Sequence, residues 1–205
     1  MGVFMKNHTS FWYAVFFAAV FAFVPIGFSA CETGTIAESE PIFPPVGERD
    51  PITEADIFGN YDGTVIPVMN GLEFGQVTEK IKIEKSSVTQ KITFSTREQT
   101  PYHKLMRIGL SYVFNEITLV LAPDGKSFSF SGSGGELYMY ASSSDTAGVP
   151  VSTKTLLQNG VICKKNGKVY IRYTVEYDVN DLQTRHLLPE SHKTLASVMR
   201  IGIQQ

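Results

Sequence analysis

Val169-Tyr170-Ile171-Arg172-Tyr173-Thr174-Val175-Glu176-Tyr177 is the stretch whose reading decides the fold. Its odd positions are all apolar or aromatic, while its even positions are mostly polar. Successive side chains of a strand point to opposite faces, so this alternation predicts a strand with one buried face and excludes an amphipathic helix. The same period returns along the chain. From Gln76 to Glu84, Val77, Ile81 and Ile83 share a face on which Glu79 is the one polar exception. Val88, Ile92 and Phe94 repeat the pattern with Gln90 as the exception, and Phe128 and Phe130 alternate with Ser127, Ser129 and Ser131.

Turn residues separate these runs. Asn70-Gly71, Pro123-Asp124-Gly125 and Asn166-Gly167 supply the positive φ that tight hairpins need. Asn159-Gly160 interrupts an apolar run and reads as a bulge. Strands are expected near 60–69, 76–84, 88–95, 112–121, 126–132, 136–141, 155–164 and 168–178. Residues 194–203 fit a last strand, while 191–200 fit a helix equally well. Roughly eight or nine antiparallel strands joined mostly in sequence predict an all-β meander, closed into a barrel or folded as a two-sheet sandwich. Thr53-Glu54-Ala55-Asp56 resembles a capping box and predicts one helical turn before the first strand.

Outward from this domain the composition changes. Residues 11–28 are an apolar stretch behind Lys6, the only charged side chain before Glu32. Such a stretch is a signal h-region or a membrane anchor with Trp12 and Tyr13 at the interface. Pro25 and Gly27 break it before Ser29-Ala30-Cys31. Cutting after Ala30 by ordinary signal peptidase would place Phe28 at −3, where a small residue is preferred. Phe28-Ser29-Ala30-Cys31 resembles instead a lipobox, with Phe28 where Leu is commoner. That resemblance implies a leader over 1–30, a lipidated Cys31 and a domain held on a membrane by several acyl chains. The expected location is the cell envelope, at the outer membrane facing the periplasm or the cell surface. Residues 31–52, with Pro41, Pro44, Pro45 and Pro51 among scattered acids, read as a flexible tether, and 53–205 as the folded domain.

Gly59-Asn60-Tyr61, placed after a helical turn and opening the first strand, resembles the start of lipocalin and other calycin barrels, with Tyr61 where those have Trp. With Gly63 and the serial hairpins that follow, it is similar to small calycin-like lipoproteins of Gram-negative bacteria. The resemblance implies a barrel closed at one end by the N-terminal turn, with room for side chains or one small ligand. Phe130, Tyr138, Tyr140, Tyr173 and Tyr177 are then candidates to line its interior, either as core filling or as ligand contacts.

Catalytic and metal-binding patterns are not recognised. His186 and His192 are wider apart than zinc ligands on one helix, with Glu190 between them, and His103 sits in a Pro-flanked loop. Ser131-Gly132-Ser133-Gly134-Gly135 lacks the strand-loop-helix context of a phosphate cradle and reads as a hairpin loop. Glu79, Glu116 and Glu176 fall in strands and read as structural or solvent-facing charges. Cys163, without an intramolecular partner once Cys31 is lipidated, reads as a buried apolar residue. With 18 Lys and Arg against 20 Asp and Glu, the chain has no basic footprint for nucleic acid. No enzyme, metal or cofactor is expected. The expected function is binding of a small apolar or amphipathic molecule, with a non-catalytic module contacting protein or glycan as the alternative. An enclosed cavity would favour the first, and a filled core the second.

Overall fold

The computed structural model describes residues 42–101, 109–141, 144, 146–184 and 194–205. The expected leader over 1–30, Cys31, His103, His186, Glu190 and His192 lie outside them.

Among the described residues, two 3-10 turns, Val46–Glu48 and Glu54–Ile57, precede eleven strands. These are β1 (Gly59–Met69), β2 (Leu72–Glu73), β3 (Val77–Lys85), β4 (Ile92–Thr96), β5 (Thr100–Pro101), β6 (Gly109–Phe114), β7 (Thr118–Leu121), β8 (Ser127–Tyr140), β9 (Val149–Lys165), β10 (Lys168–Tyr177) and β11 (Leu195–Gln204). A short helix, α1 (Val179–Thr184), lies between β10 and β11. The order β6-β4-β3-β1-β11-β10-β9-β8, with β8 pairing back onto β6, closes an eight-stranded antiparallel barrel. Closure leaves no sandwich edge, so the barrel is the form the alternating strands take. It is compatible with a calycin-like architecture.

The hairpins follow their turn chemistry. Asn70 and Gly71 have φ of 52° and 78°, and Asn166 and Gly167 have 52° and 75°, the left-handed pair a two-residue turn requires. The Thr53 amide and hydroxyl both donate to Asp56 Oδ2, at 2.8 and 2.7 Å. Lys164 caps the same carboxylate at 2.7 Å. Those bonds, with Lys164 foremost, draw the Asp56 pKa down to about 2. Tyr61 is fully buried and its hydroxyl donates to the Ile57 carbonyl at 2.7 Å, which ties the turn to the barrel end.

Three expectations are corrected. The glycine-rich run 131–135 is no hairpin loop: β8 passes straight through it as one strand. Glycine is needed there because a Cβ on Gly135 would sit 2.4 Å from the Phe114 ring, and one on Gly132 would sit 3.1 Å from it. The run expected at 112–121 divides into β6 and β7 around residues 115–117, where Ile117 donates its amide to the Ile92 carbonyl. The tether expected over 31–52 ends earlier, because residues 43–52 form a strap on the barrel wall. Asp50 bridges to Lys164, the Ile52 amide donates to the Gly125 carbonyl at 3.0 Å, and Ile52 is buried. Phe43 is stacked by the Arg49 and Arg172 guanidinium groups. The strap gains enough contact to be ordered despite its prolines, because prolines forfeit little conformational freedom on docking.

Residues 194–203 resolve as strand: β11 pairs with both β1 and β10. Asn159, at φ 54°, forms the expected bulge, with registers slipping by one against both β8 and β10.

Candidate functional site

The barrel interior is built by the inward face of each strand. On β3 the period of two that sends Ile81 and Ile83 inward also sends Glu79 inward, and its exposure falls to 1%. The carboxylate is met by three hydroxyl groups. Tyr173 donates to Oε1 at 2.5 Å, Tyr112 donates to the same oxygen at 2.6 Å, and Thr100 donates to Oε2 at 2.7 Å. The two phenol oxygens lie 3.1 Å apart. Burial raises the Glu79 pKa, and the hydroxyl bonds partly oppose that rise. Burial, followed by the neighbouring carboxylate, pushes both phenols well above their usual range.

Aromatic rings wall this polar centre. Phe94 stands edge-on to Tyr173 at 5.0 Å between centroids, tilts against Phe130 at 5.6 Å and stacks with Tyr112 at 6.0 Å. Phe130 reaches Tyr173 at 6.4 Å. The space at the level of Glu79 is therefore occupied by side chains. Further along β10, the hydroxyl groups of Tyr177 and Ser197 are 2.9 Å apart, both buried.

Of the five aromatic candidates, Phe130, Tyr173 and Tyr177 are buried in this interior. Tyr138 and Tyr140 lie on the opposite face of β8, because Leu137 between Glu136 and Tyr138 takes the inward position. Tyr138 donates to Glu136 at 2.5 Å, and the Tyr140 hydroxyl lies 3.0 Å from that of Ser111. They line the outer wall, not the barrel interior. Of the three acids read as structural or solvent-facing strand charges, Glu79 has a structural place, while Glu116 falls outside the strands, between β6 and β7. Glu116 is exposed and paired with Lys91 at 2.7 Å, and Glu176 is exposed on β10. Glu79 alone of the three is inside.

No family model, curated protein or solved structure matches the chain. The site must be read from its own chemistry. The Glu79 carboxyl is, among the described residues, walled by aromatic rings and bonded to three hydroxyl groups. Among the described residues no three His, Cys, Asp or Glu side chains converge to hold a metal. What the cluster does provide is direction: three donors on one acceptor group fix the registers of β3, β5, β6 and β10 relative to one another.

Proposed function

We propose that this protein is a calycin-like, lipid-anchored module of the cell envelope that works through its outer surface, without catalysis and without a resident ligand. The observation that carries the reading is the filled interior: Phe94, Tyr112, Phe130 and Tyr173 occupy the volume in which a barrel of this size would hold a small molecule. The anchor is Cys31, at the end of the lipobox-like Phe28-Ser29-Ala30-Cys31. Contacts with protein or glycan then fall to the outer wall and the loops, which the barrel holds rigidly.

A second reading, capture of a small amphipathic molecule, has one observation in its favour. Convergent polar groups inside an apolar enclosure are the usual means of orienting a ligand, and Glu79 with its three hydroxyl partners has that form. It requires the rings of Phe94 and Phe130 to move aside.

Native mass spectrometry of residues 32–205, exported to the periplasm, separates the two. The bare mass in both native and denatured samples is expected. A reproducible extra mass lost on denaturation overturns the first reading in favour of the second. The anchor is tested separately by Cys31→Ala, which should move the full-length protein from the membrane to the soluble fraction. Retention on the membrane would overturn lipidation.

A further inference from the structure

Two bulges flank β10 at one level of the barrel wall. On β9 the residue left over in both ladders is Asn159. Phe130 faces Gly160 but Gly132 faces Leu157, and Arg172 faces Val161 but Thr174 faces Gln158. On β11 the extra residue is Arg200, since Thr64 faces Ile201 and Val65 faces Met199. The same slip appears against β10, where Ile171 faces Gly202 and Tyr173 faces Met199. A bulge re-aims the side chain of its extra residue. Asn159 and Arg200 are both exposed, on either side of Arg172 and Thr174. With Val198 these residues line a groove of about 430 Å³ on the outer wall.

The groove concentrates positive charge. Across the bulge Arg172 is faced by Arg200 and Ile201, on neighbouring strands about 4.8 Å apart. Like charges opposite one another on adjacent strands destabilise a sheet. Among the described residues one carboxylate, Glu73, meets this pair, at 2.6 Å from Arg200. Both side chains of that bridge are more than half exposed, so it is a weak competitor. The Arg172 guanidinium instead lies 4.8 Å from the centre of the Phe43 ring, which holds its plane without neutralising it. Glu176, exposed two residues beyond Thr174, makes the far end of the groove negative.

We propose that this groove binds a carboxylate-bearing sugar, the uronic or sialic acid unit of an acidic glycan, with its carboxylate between Arg172 and Arg200. The assignment rests on the reading of the outer wall as the working surface and names its ligand. A guanidinium donates in pairs to a planar carboxylate, and an anion seated between the two arginines removes their repulsion. The sugar ring then lies over Thr174 and Val198. Its apolar C–H face meets Val198, and its edge hydroxyl groups meet the Thr174 hydroxyl and the Asn159 amide. Glu176 fixes the direction, because it repels the carboxylate and accepts from hydroxyl groups. An acidic peptide fits less well. An extended peptide satisfies its backbone at a free sheet edge, and β10 is paired on both sides, by β9 and β11.

The test is calorimetric titration of the protein expressed from the full chain, in a neutral detergent free of sugar headgroups. The probes are trigalacturonate and sialyllactose, each beside its neutral methyl ester. Saturable binding of at least one acid is expected, with its ester bound about tenfold more weakly or worse. Arg172→Gln and Arg200→Gln should each weaken binding by about the same factor. Arg200→Gln leaves Phe43 untouched, so it carries the test if Arg172→Gln loosens the strap. Arg200→Lys, which keeps the charge and loses the fork, should fall between wild type and Arg200→Gln. Glu73→Gln should strengthen binding by releasing Arg200. No binding of either acid, equal binding of acid and ester, or affinity unmoved by both glutamine variants would overturn the proposal. So would a triglutamate peptide bound more tightly than both sugars, since the groove would then be taking an acidic protein segment. The native mass reads the wider proposal separately. A bare barrel that ignores both acids strikes the groove assignment alone, while a ligand carried inside the barrel strikes the wider reading.

Discussion

Tyr173 and Glu79, 94 residues apart in the chain, are joined by a 2.5 Å hydrogen bond in the closed core of the barrel. The bond links β10 to β3 across the interior, and neither strand is the other's neighbour in the sheet. A fully buried acid is stabilised there by donors and by no described cation, so each donor counts.

Tyr173→Phe keeps the ring packing and removes one donor from the carboxylate. The expected loss is about 1–3 kcal/mol of unfolding free energy, read from denaturant titration. Tyr173→Glu places a second carboxyl beside the first and should leave no cooperative transition at neutral pH. A charged variant with unchanged melting temperature would show that residue 173 does not face the core.

Stability should fall as the pH rises above the ordinary carboxyl range, for a reason specific to Glu79. Its folded pKa lies above the ordinary value of 4.5. Below that value both folded and unfolded states hold the proton, and no penalty arises. Above it the unfolded chain ionises while the buried carboxyl still holds its proton, so the unfolded state gains until the folded group ionises too. Glu79→Gln cannot ionise, so its melting temperature relative to wild type should increase across the same pH range. Parallel pH profiles for the two proteins would contradict the assignment.

Gly135→Ala should destabilise by about 1–3 kcal/mol through overpacking, because the added methyl meets the Phe114 ring. Phe114→Leu should itself destabilise by opening space, yet recover part of the loss when combined with Gly135→Ala. The coupling from a double-mutant cycle is the measurement. Additive effects would mean that β8 accommodates the methyl by shifting elsewhere.

Cys163 should be inert to thiol reagents in the native protein. It is completely buried and burial raises its pKa, although Arg49 and Arg172 act in the other direction. Ile162 beside it belongs to the barrel core, so Cys163 faces the outer wall, next to Lys164 where Asp50 of the strap bridges and near Arg49. Deleting residues 31–52 should therefore expose the thiol while the barrel stays folded, as judged by circular dichroism. Unchanged protection in a folded deletion would show that the strap is not its cover.

Much of the architecture is legible in local chemistry. The strand at Val169–Tyr177 is written in its alternation, and the hairpins at Asn70-Gly71 and Asn166-Gly167 in residues that tolerate positive φ. The glycine-rich run at 131–135 misleads because glycine signals both turns and close approaches, and only the Phe114 ring decides between them. Tyr138 and Tyr140 mislead for a related reason. Aromatic side chains satisfy either face of a strand, and Leu137, by occupying the interior, settles which face they take.

The sequence by itself determined most of the strands, the Asn-Gly turns and the apolar face of most strands, because these depend on residues within a few positions of each other. It also marked Glu79 as a polar residue on an apolar face. Only the tertiary structure decided what that residue does. Its partners Thr100, Tyr112 and Tyr173 lie 21, 33 and 94 residues along the chain. Closing the barrel is what brings their hydroxyl groups to one carboxylate, and it is the same closure that packs the aromatic rings around it.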